Sequence, residues 1–274
     1  MLDLEHIHKT FQPGTPNQQL GLDDLSLHLE EGEFVTLVGS NGAGKSTLFG
    51  AIGGSFTVDA GSIRLDGRDI THQREHIRAR QLGRLFQDPH TGTAPNLTIE
   101  ENLALVYAKA TGRFPLRLAL GAGDRRTFRE QLAQLEMGLE DRLTAKVGLL
   151  SGGQRQALTL LIATMVPPKL LLLDEHTAAL DPLTAEKVTR LTTQMTARHR
   201  ITTLMITHHI ASALTLGSRT IMMDKGRIVL DLAGEERGAL TPQGLLQRYR
   251  DVMHQELDND RILFADAPER RKLG

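Results

Sequence analysis

The 274-residue sequence predicts an α/β fold. A mostly parallel sheet is covered on both faces, with an antiparallel β portion at the N-terminus and an inserted helical subdomain. Two patterns carry this expectation. A brief apolar run, Phe34-Val35-Thr36-Leu37-Val38, is stopped by glycine, as a buried central strand is. Past Gly153 the chain alternates helix, strand (Lys169 to Leu173), helix (Pro182 to Arg198), strand (Ile201 to Ile206), helix and two short strands, an order that builds a parallel sheet.

The remaining elements follow in chain order. Leu25, Leu27 and Leu29 alternate with polar residues, the period of a half-buried strand. Between Ile63 and Ile70 an Asp66-Gly67 pair joins two short strands as a hairpin. Thr98-Ile99-Glu100-Glu101 is a capping box, so a helix should begin there and run to about Lys109. From Asp88 to Leu149 helical patterning dominates, broken by Gly112, Gly121 and Gly123. The inserted subdomain is therefore expected over residues 88–165 of a main domain spanning 1–230. In the extension, 231–274, Thr241-Pro242 supplies an N-cap and a first-turn proline for one helix reaching about Glu256. A charged tail, Asp258 to Gly274, is expected to be loose.

Composition narrows the function. Hydrophobic residues make up 40%, enough for a sizeable core, and 32 basic against 33 acidic residues leave a net charge of −1. A nucleic-acid binder usually shows a basic excess, so none is expected as partner. Cysteine is absent, which excludes disulfides and thiolate metal sites. Met1 to Lys9 mix charged and polar types, unlike a secretory leader. The longest apolar run, Ala157 to Val166, falls short of the roughly 20 residues a membrane helix needs.

Three motifs carry chemistry. Gly39-Ser40-Asn41-Gly42-Ala43-Gly44-Lys45-Ser46 fits G-x-x-x-x-G-K-[ST] directly after the Phe34–Val38 strand. Glycines let backbone N–H groups converge on phosphate oxygens, and the helix from Lys45 onward adds its positive end. Lys45 can reach the β- and γ-phosphates, and the Ser46 hydroxyl can ligate Mg²⁺. Leu170 to Leu173 run into Asp174-Glu175, two carboxylates at a strand end facing the ligand crevice. There Asp174 can hold the Mg²⁺ shell and Glu175 can polarise the attacking water. Leu150-Ser151-Gly152-Gly153-Gln154 opens another helix with a second glycine-rich cradle, which alone is only an N-cap.

Taken with Gln87 in Leu85-Phe86-Gln87-Asp88, with Ala179-Leu180-Asp181 and with Ile206-Thr207-His208, this series resembles the ABC ATPase family over roughly residues 1–230. The resemblance implies a P-loop NTPase core that binds and hydrolyses ATP with Mg²⁺. Phe11 would stack on adenine, and Gly39 to Ser46 with Thr47 would bind the phosphates. Gln87 would touch Mg²⁺ and the attacking water. Ser151, Gly152, Gly153 and Gln154 would contact ATP held by a second subunit, Asp181 would join the two sites of the dimer, and His208 would act on the γ-phosphate. Implied partners are a second ATPase subunit (a homodimer), membrane permease subunits and, indirectly, an extracytoplasmic substrate-binding protein. The implied place is the cytoplasmic face of the inner cell membrane, and the implied task is nutrient uptake, of an amino-acid type. A groove lined by Leu97, Leu103 and Tyr107 would receive the permease. Two departures stand out: His176 replaces the family's usual proline, and Ile162 a common arginine.

Two other functions compete with this one. A soluble relative acting on nucleic acid, ribosomes or as a scaffold would be expected to show two cassettes, heptads or a basic stripe. An exporter or lipid-extraction ATPase separates poorly from an importer by sequence. His72-Gln73-Arg74-Glu75-His76 matches H-x-x-E-H letter for letter, but a solvated helix face is the expected reading. His6 and His8 are expected on one exposed face of the first strand.

Overall fold

The computed structural model describes residues 1–111 and 121–252. Gly112, the far end of the last helix near Glu256 and the charged tail lie outside them. Among the described residues there are two sheets. The first contains β1 (Leu2–Phe11), β2 (Gln19–Leu29), β4 (Ala60–Leu65) and β5 (Arg68–Asp69) in the order β2-β1-β4-β5, all antiparallel. The second contains β3 (Phe34–Gly39), β6 (Leu82–Leu85), β7 (Leu170–Asp174), β8 (Thr202–Ile206), β9 (Arg219–Asp224) and β10 (Arg227–Ala233). Its order is β10-β9-β3-β8-β7-β6, parallel except for β10, which pairs antiparallel at one edge.

Helices α1 (Lys45–Gly53), α2 (Glu75–Arg78), α3 (Ile99–Thr111), α4 (Ala122–Ala133), α5 (Gly152–Thr164), α6 (Pro182–His199), α7 (Ile210–Thr215) and α8 (Gly234–Gly238) connect them. A further helix, α9, covers residues 242–252. α8 was not expected; five residues are too few to display a period. Thr241 caps α9 as the sequence implies, its Oγ1 accepting from Gly244 N at 3.1 Å.

Strand β7 shows why the centre of the sheet reads as an unbroken apolar run. Leu170 and Leu172 point into one core, shared with β1, β2, α1 and β4. Leu171 and Leu173 point into the other, shared with α3, α4 and α5. A strand covered on both faces has no polar side to alternate with.

In β1 the alternation is interrupted. Leu2 and Leu4 are buried, then Ile7, with a register shift between Leu4 and Ile7 and a left-handed φ of 50° at His6. The bulge re-phases the strand and turns His6 outward onto Asp24, 2.8 Å away. His8 reaches the same carboxylate at 3.5 Å.

Two expectations are corrected in the helical region. Gly123 does not break a helix: it lies in the first turn of α4, whose N-cap is Gly121 and whose Asp124 carboxylate accepts from Gly121 N at 3.0 Å. Leu103 lines no groove. It is 0% exposed in the core, because Ile99 and Leu103, four apart, share the inward face of α3. Leu105 and Tyr107 are exposed instead, with Tyr107 edge-on to Phe128 at 6.1 Å.

Behind the phosphate loop, α1 is held at its far end by buried Arg78. The guanidinium donates to the carbonyls of Ala51 (2.6 Å), Ile52 (2.8 Å), Thr71 (2.9 Å) and Gln73 (3.0 Å). Burial lowers its pKa, yet helix-end carbonyls without other partners favour the cation there. Arg78→Met should destabilise the fold by about 3 kcal/mol in urea unfolding, because buried carbonyls lose a charged donor. Arg78→Lys should recover little, since one ammonium cannot serve four carbonyls in the fork geometry. Equal midpoints for wild type and Arg78→Met would refute this role.

Candidate active site

The parallel register brings the motifs to one edge. Asp174 lies opposite Ile206, Ile206 opposite Leu37, and Leu37 opposite Ile221; Leu85 pairs with Leu173. Gln87, Glu175, His208 and Gly39 therefore emerge one or two residues past a single row, although the sequence scatters them widely. Strand ends of a parallel sheet face the ligand crevice for this reason.

The phosphate loop ends at Gly44, the N-cap of α1, with φ 98° and no side-chain cap. A Cβ on Gly44 would lie 2.5 Å from the Gly21 carbonyl oxygen, so only glycine fits. No acidic residue sits in the first turn of α1. Its leading N–H groups are thus left without a side-chain acceptor, at the end of the helix that favours anions. By contrast, α5 and α6 are capped by their own side chains. Ser151 Oγ accepts from Gln154 N at 3.2 Å and Gln154 Oε1 from Ser151 N at 3.2 Å. Asp181 Oδ1 accepts from Thr184 N at 3.1 Å.

Lys45 is buried, and its ammonium donates to the carbonyls of Gly39 and Ser40, both at 2.8 Å. Burial lowers its pKa against the opposing pull of Glu175 and Asp174. Asp174 shows the converse: burial raises its pKa, while Arg84, Lys45 and His208 pull it down. Glu175 stands in a left-handed conformation, φ 46°, which costs a non-glycine residue about 1 kcal/mol. Two backbone bonds hold it there, Glu175 N to Ile206 O at 3.2 Å and Ala178 N to Glu175 O at 2.9 Å. Its Oε1 lies 2.5 Å from His208 Nε2.

His176, the departure from proline, is 2% exposed. Its Nε2 is 3.1 Å from Thr192 Oγ1, which itself donates to Val188 O at 2.9 Å. The hydroxyl proton is therefore committed, Nε2 carries the ring proton, and Nδ1 is left as a bare acceptor. Burial lowers the pKa from 6.5 to about 4. The unfolded chain binds this proton more tightly, so stability is full above pH 6.5 and falls as the pH drops toward 4. At pH 5 the loss from this one group is about 2 kcal/mol. His176→Gln should flatten that slope in urea unfolding at pH 7.5 and pH 5; identical slopes would contradict it.

The other expected residues form a second cluster. A Cβ on Gly153 would come within 2.0 Å of Thr184 Cγ2, and one on Gly152 within 3.6 Å of Leu180 Cδ2. The Ser151–Gln154 loop thus packs against the Asp181 turn, with Gln154 Nε2 also donating to Met137 O at 3.3 Å. Phe11 is half-buried, edge-on to Phe56 at 5.2 Å and beneath Lys9 Nζ. It touches the space beside Gly21 that Thr47 also borders. Gln87 is exposed, and the segment around it is tied to α5. Gln156 Nε2 donates to Phe86 O at 3.5 Å, and Arg155 pairs with His90 while donating to Val147 O at 3.0 Å.

Arg155, Gln156 and Asp224 escaped the sequence reading. A readable signal existed: two polar residues inside an apolar helix, and a carboxylate ending β9 as Asp174 ends β7. His72, Glu75 and His76 are exposed around the four-residue α2. Among the described residues no three histidine, aspartate or glutamate side chains could hold a metal. No helix among them is long and apolar enough to cross a membrane.

Comparison with known proteins gives these arrangements a context. A family model described as ABC transporter matches residues 22–178. The "tyrosine transport ATP-binding protein" of Clostridioides difficile is 42% identical over 91% of this chain and 98% of its own length. An "aliphatic sulfonates import ATP-binding protein" of Agrobacterium fabrum is 35% identical over 77% of this chain and 73% of its own. Among solved structures, a dimeric ATP-binding cassette in a post-hydrolysis state with ADP and Pi superposes with a TM-score of 0.71. It is 28% identical, over 85% of this chain and 98% of that one.

Proposed function

The chain belongs to the ABC transporter family as an ATPase subunit, and on that premise we propose that it drives import of an amino-acid-type solute. It would work as a dimer beneath membrane permease subunits at the cytoplasmic face, fed by an extracytoplasmic binding protein. The observation that carries the ATPase mechanism is the single strand-end row holding an uncapped helix N-terminus, Lys45, Asp174, Glu175 and His208. The near full-length likeness to a tyrosine transport protein supports the solute class.

In this reading the first-turn N–H groups of α1 and the Gly39–Thr47 loop bind the phosphates. Lys45 exchanges the carbonyls of Gly39 and Ser40 for phosphate oxygens, a charge-assisted contact stronger than the one it leaves. Glu175, held in place through its backbone and by His208, accepts the proton of the attacking water. His208 donates to Glu175 and so keeps that carboxylate's free lone pairs directed at the water. Ser46, Asp174 and Gln87 offer the hard oxygen donors Mg²⁺ takes, and the bound ion would neutralise charge on the phosphate oxygens. Phe11 gives adenine an aromatic face. The Ser151–Gln154 loop and the adjoining Asp181 turn serve the nucleotide of the second subunit.

The residues 88–165 form the unit that relays nucleotide state to the permease, through the Gln156 and Arg155–His90 ties. Exposed Leu105 and Tyr107, with half-buried Leu97, offer the docking side chains. The test is uptake into proteoliposomes in which this chain is assembled with its permease subunits. ATP-dependent accumulation of labelled tyrosine or another neutral amino acid is expected with wild type. Leu105→Glu should abolish uptake while ATPase of the free subunit persists. Wild-type ATP hydrolysis without uptake of any amino acid would refute the solute class.

A further inference from the structure

We propose that Asp224 and Tyr249 are positioning residues for the phosphate loop, so that the C-terminal helix sets how firmly ATP is bound. Asp224 closes β9 and is 8% exposed. Its Oδ1 accepts from Ser40 Oγ at 3.3 Å and from Tyr249 Oη at 3.2 Å. One carboxylate oxygen thereby joins the loop that cradles phosphate to α9, more than 200 residues away in sequence. Ser40 also supplies one of the two carbonyls that hold Lys45.

Residues 234–252 are firmly seated. Tyr249 packs on Val38, Ala213 and Met222 with Val229 and Leu230, and Leu245 is fully buried. Arg237 of α8 donates to Thr220 Oγ1 (2.8 Å), Ala213 O (3.0 Å) and Leu216 O (2.6 Å). It thereby caps α7, the helix that follows His208 and His209. Arg248 of α9 pairs with Glu236 of α8. Residues 234–252 thus hold both the loop that leads from β3 into Lys45 and the helix that follows His208.

The physical consequence is preorganisation. A buried carboxylate that accepts two hydroxyl bonds has one favoured rotamer, and a fixed Asp224 fixes Ser40. Ordering the loop before phosphate arrives lowers the entropy lost on binding. Loss of the Tyr249 hydroxyl should loosen Ser40 without touching the chemistry at Glu175. The inference rests on Gly39–Thr47 being the phosphate site.

The experiment compares Tyr249→Phe, Ser40→Ala and the double variant in the full chain, with Lys45→Ala beside them. MgATP affinity, KM, kcat and thermal midpoint are measured for each. Tyr249→Phe should raise Kd and KM about fivefold, as loss of one modest hydrogen bond would. Its kcat should move less than about twofold and its midpoint should not shift. In the Ser40→Ala background, Tyr249→Phe should add nothing, because both hydroxyls act through Asp224. Unchanged affinity in Tyr249→Phe, additive losses, or a loss that tracks the midpoint would overturn the proposal. If Lys45→Ala still binds MgATP normally, the phosphate-site reading fails; if only Lys45→Ala loses binding, the brace alone fails.

Discussion

Glu175→Gln is expected to cut MgATP turnover about 10³-fold, the middle of the range for removing a general base, while MgATP affinity stays within about threefold of wild type. The change preserves shape. A glutamine in the same left-handed backbone can still hydrogen-bond His208, so the site geometry survives. What disappears is the only group in the row that combines a free carboxylate oxygen with a partner holding it toward the crevice. Binding should be spared because Lys45 and the α1 N-terminus are the proposed phosphate-binding groups, and removing a negative charge beside them reduces repulsion of phosphate. Lys45→Ala should give the opposite split, with affinity itself lost. Turnover of Glu175→Gln near wild type would remove Glu175 from the chemistry.

The second large effect is expected at Ser151. Ser151→Arg should abolish hydrolysis yet leave MgATP affinity of the isolated chain within about threefold, because in the proposed dimer this loop serves the other subunit's nucleotide. The structure requires a control. Ser151 is also the N-cap of α5, reciprocally bonded to Gln154, and losing that cap alone costs about 1 kcal/mol. Ser151→Ala removes only the cap and should retain far more activity. Mixing Ser151→Arg with Lys45→Ala protein creates one intact composite site per heterodimer and should restore part of the turnover. A strong loss of affinity in isolated Ser151→Arg chains would place this loop in its own chain's site.

The phosphate loop and the Asp174-Glu175 pair were legible because each joins a short apolar strand to an abrupt change of residue type. Such a boundary survives in the sequence whatever packs around it. The parallel sheet was legible for the same reason, with β7 expected over Lys169 to Leu173 and found one residue further along, Leu170–Asp174. Legibility failed where partners are remote or the element is short. Whether Leu103 or Leu105 faces outward depends on which side of α3 meets α5, and residue type cannot decide between two leucines. Gly123 reads as a breaker until the Gly121–Asp124 bond shows it inside a capped first turn. Asp224 and Ser40 meet through the pairing of β9 with β3 and Tyr249 reaches them through the packing of α9 on Val38, Ala213 and Met222, so no local window could expose the three together. His176 was visible as an oddity, but its burial against Thr192 depends on where α6 lies.

The proposed hydrolysis depends on two chains closing over ATP, with the loop of one chain completing the site of the other. The most direct test is the mass of Glu175→Gln protein by light scattering, with and without MgATP, at fixed protein concentration. A shift from 30.2 kDa to twice that mass is expected on adding MgATP, blocked by Ser151→Arg in the same chain. A mass that stays at one chain, with ATP demonstrably bound, would contradict it.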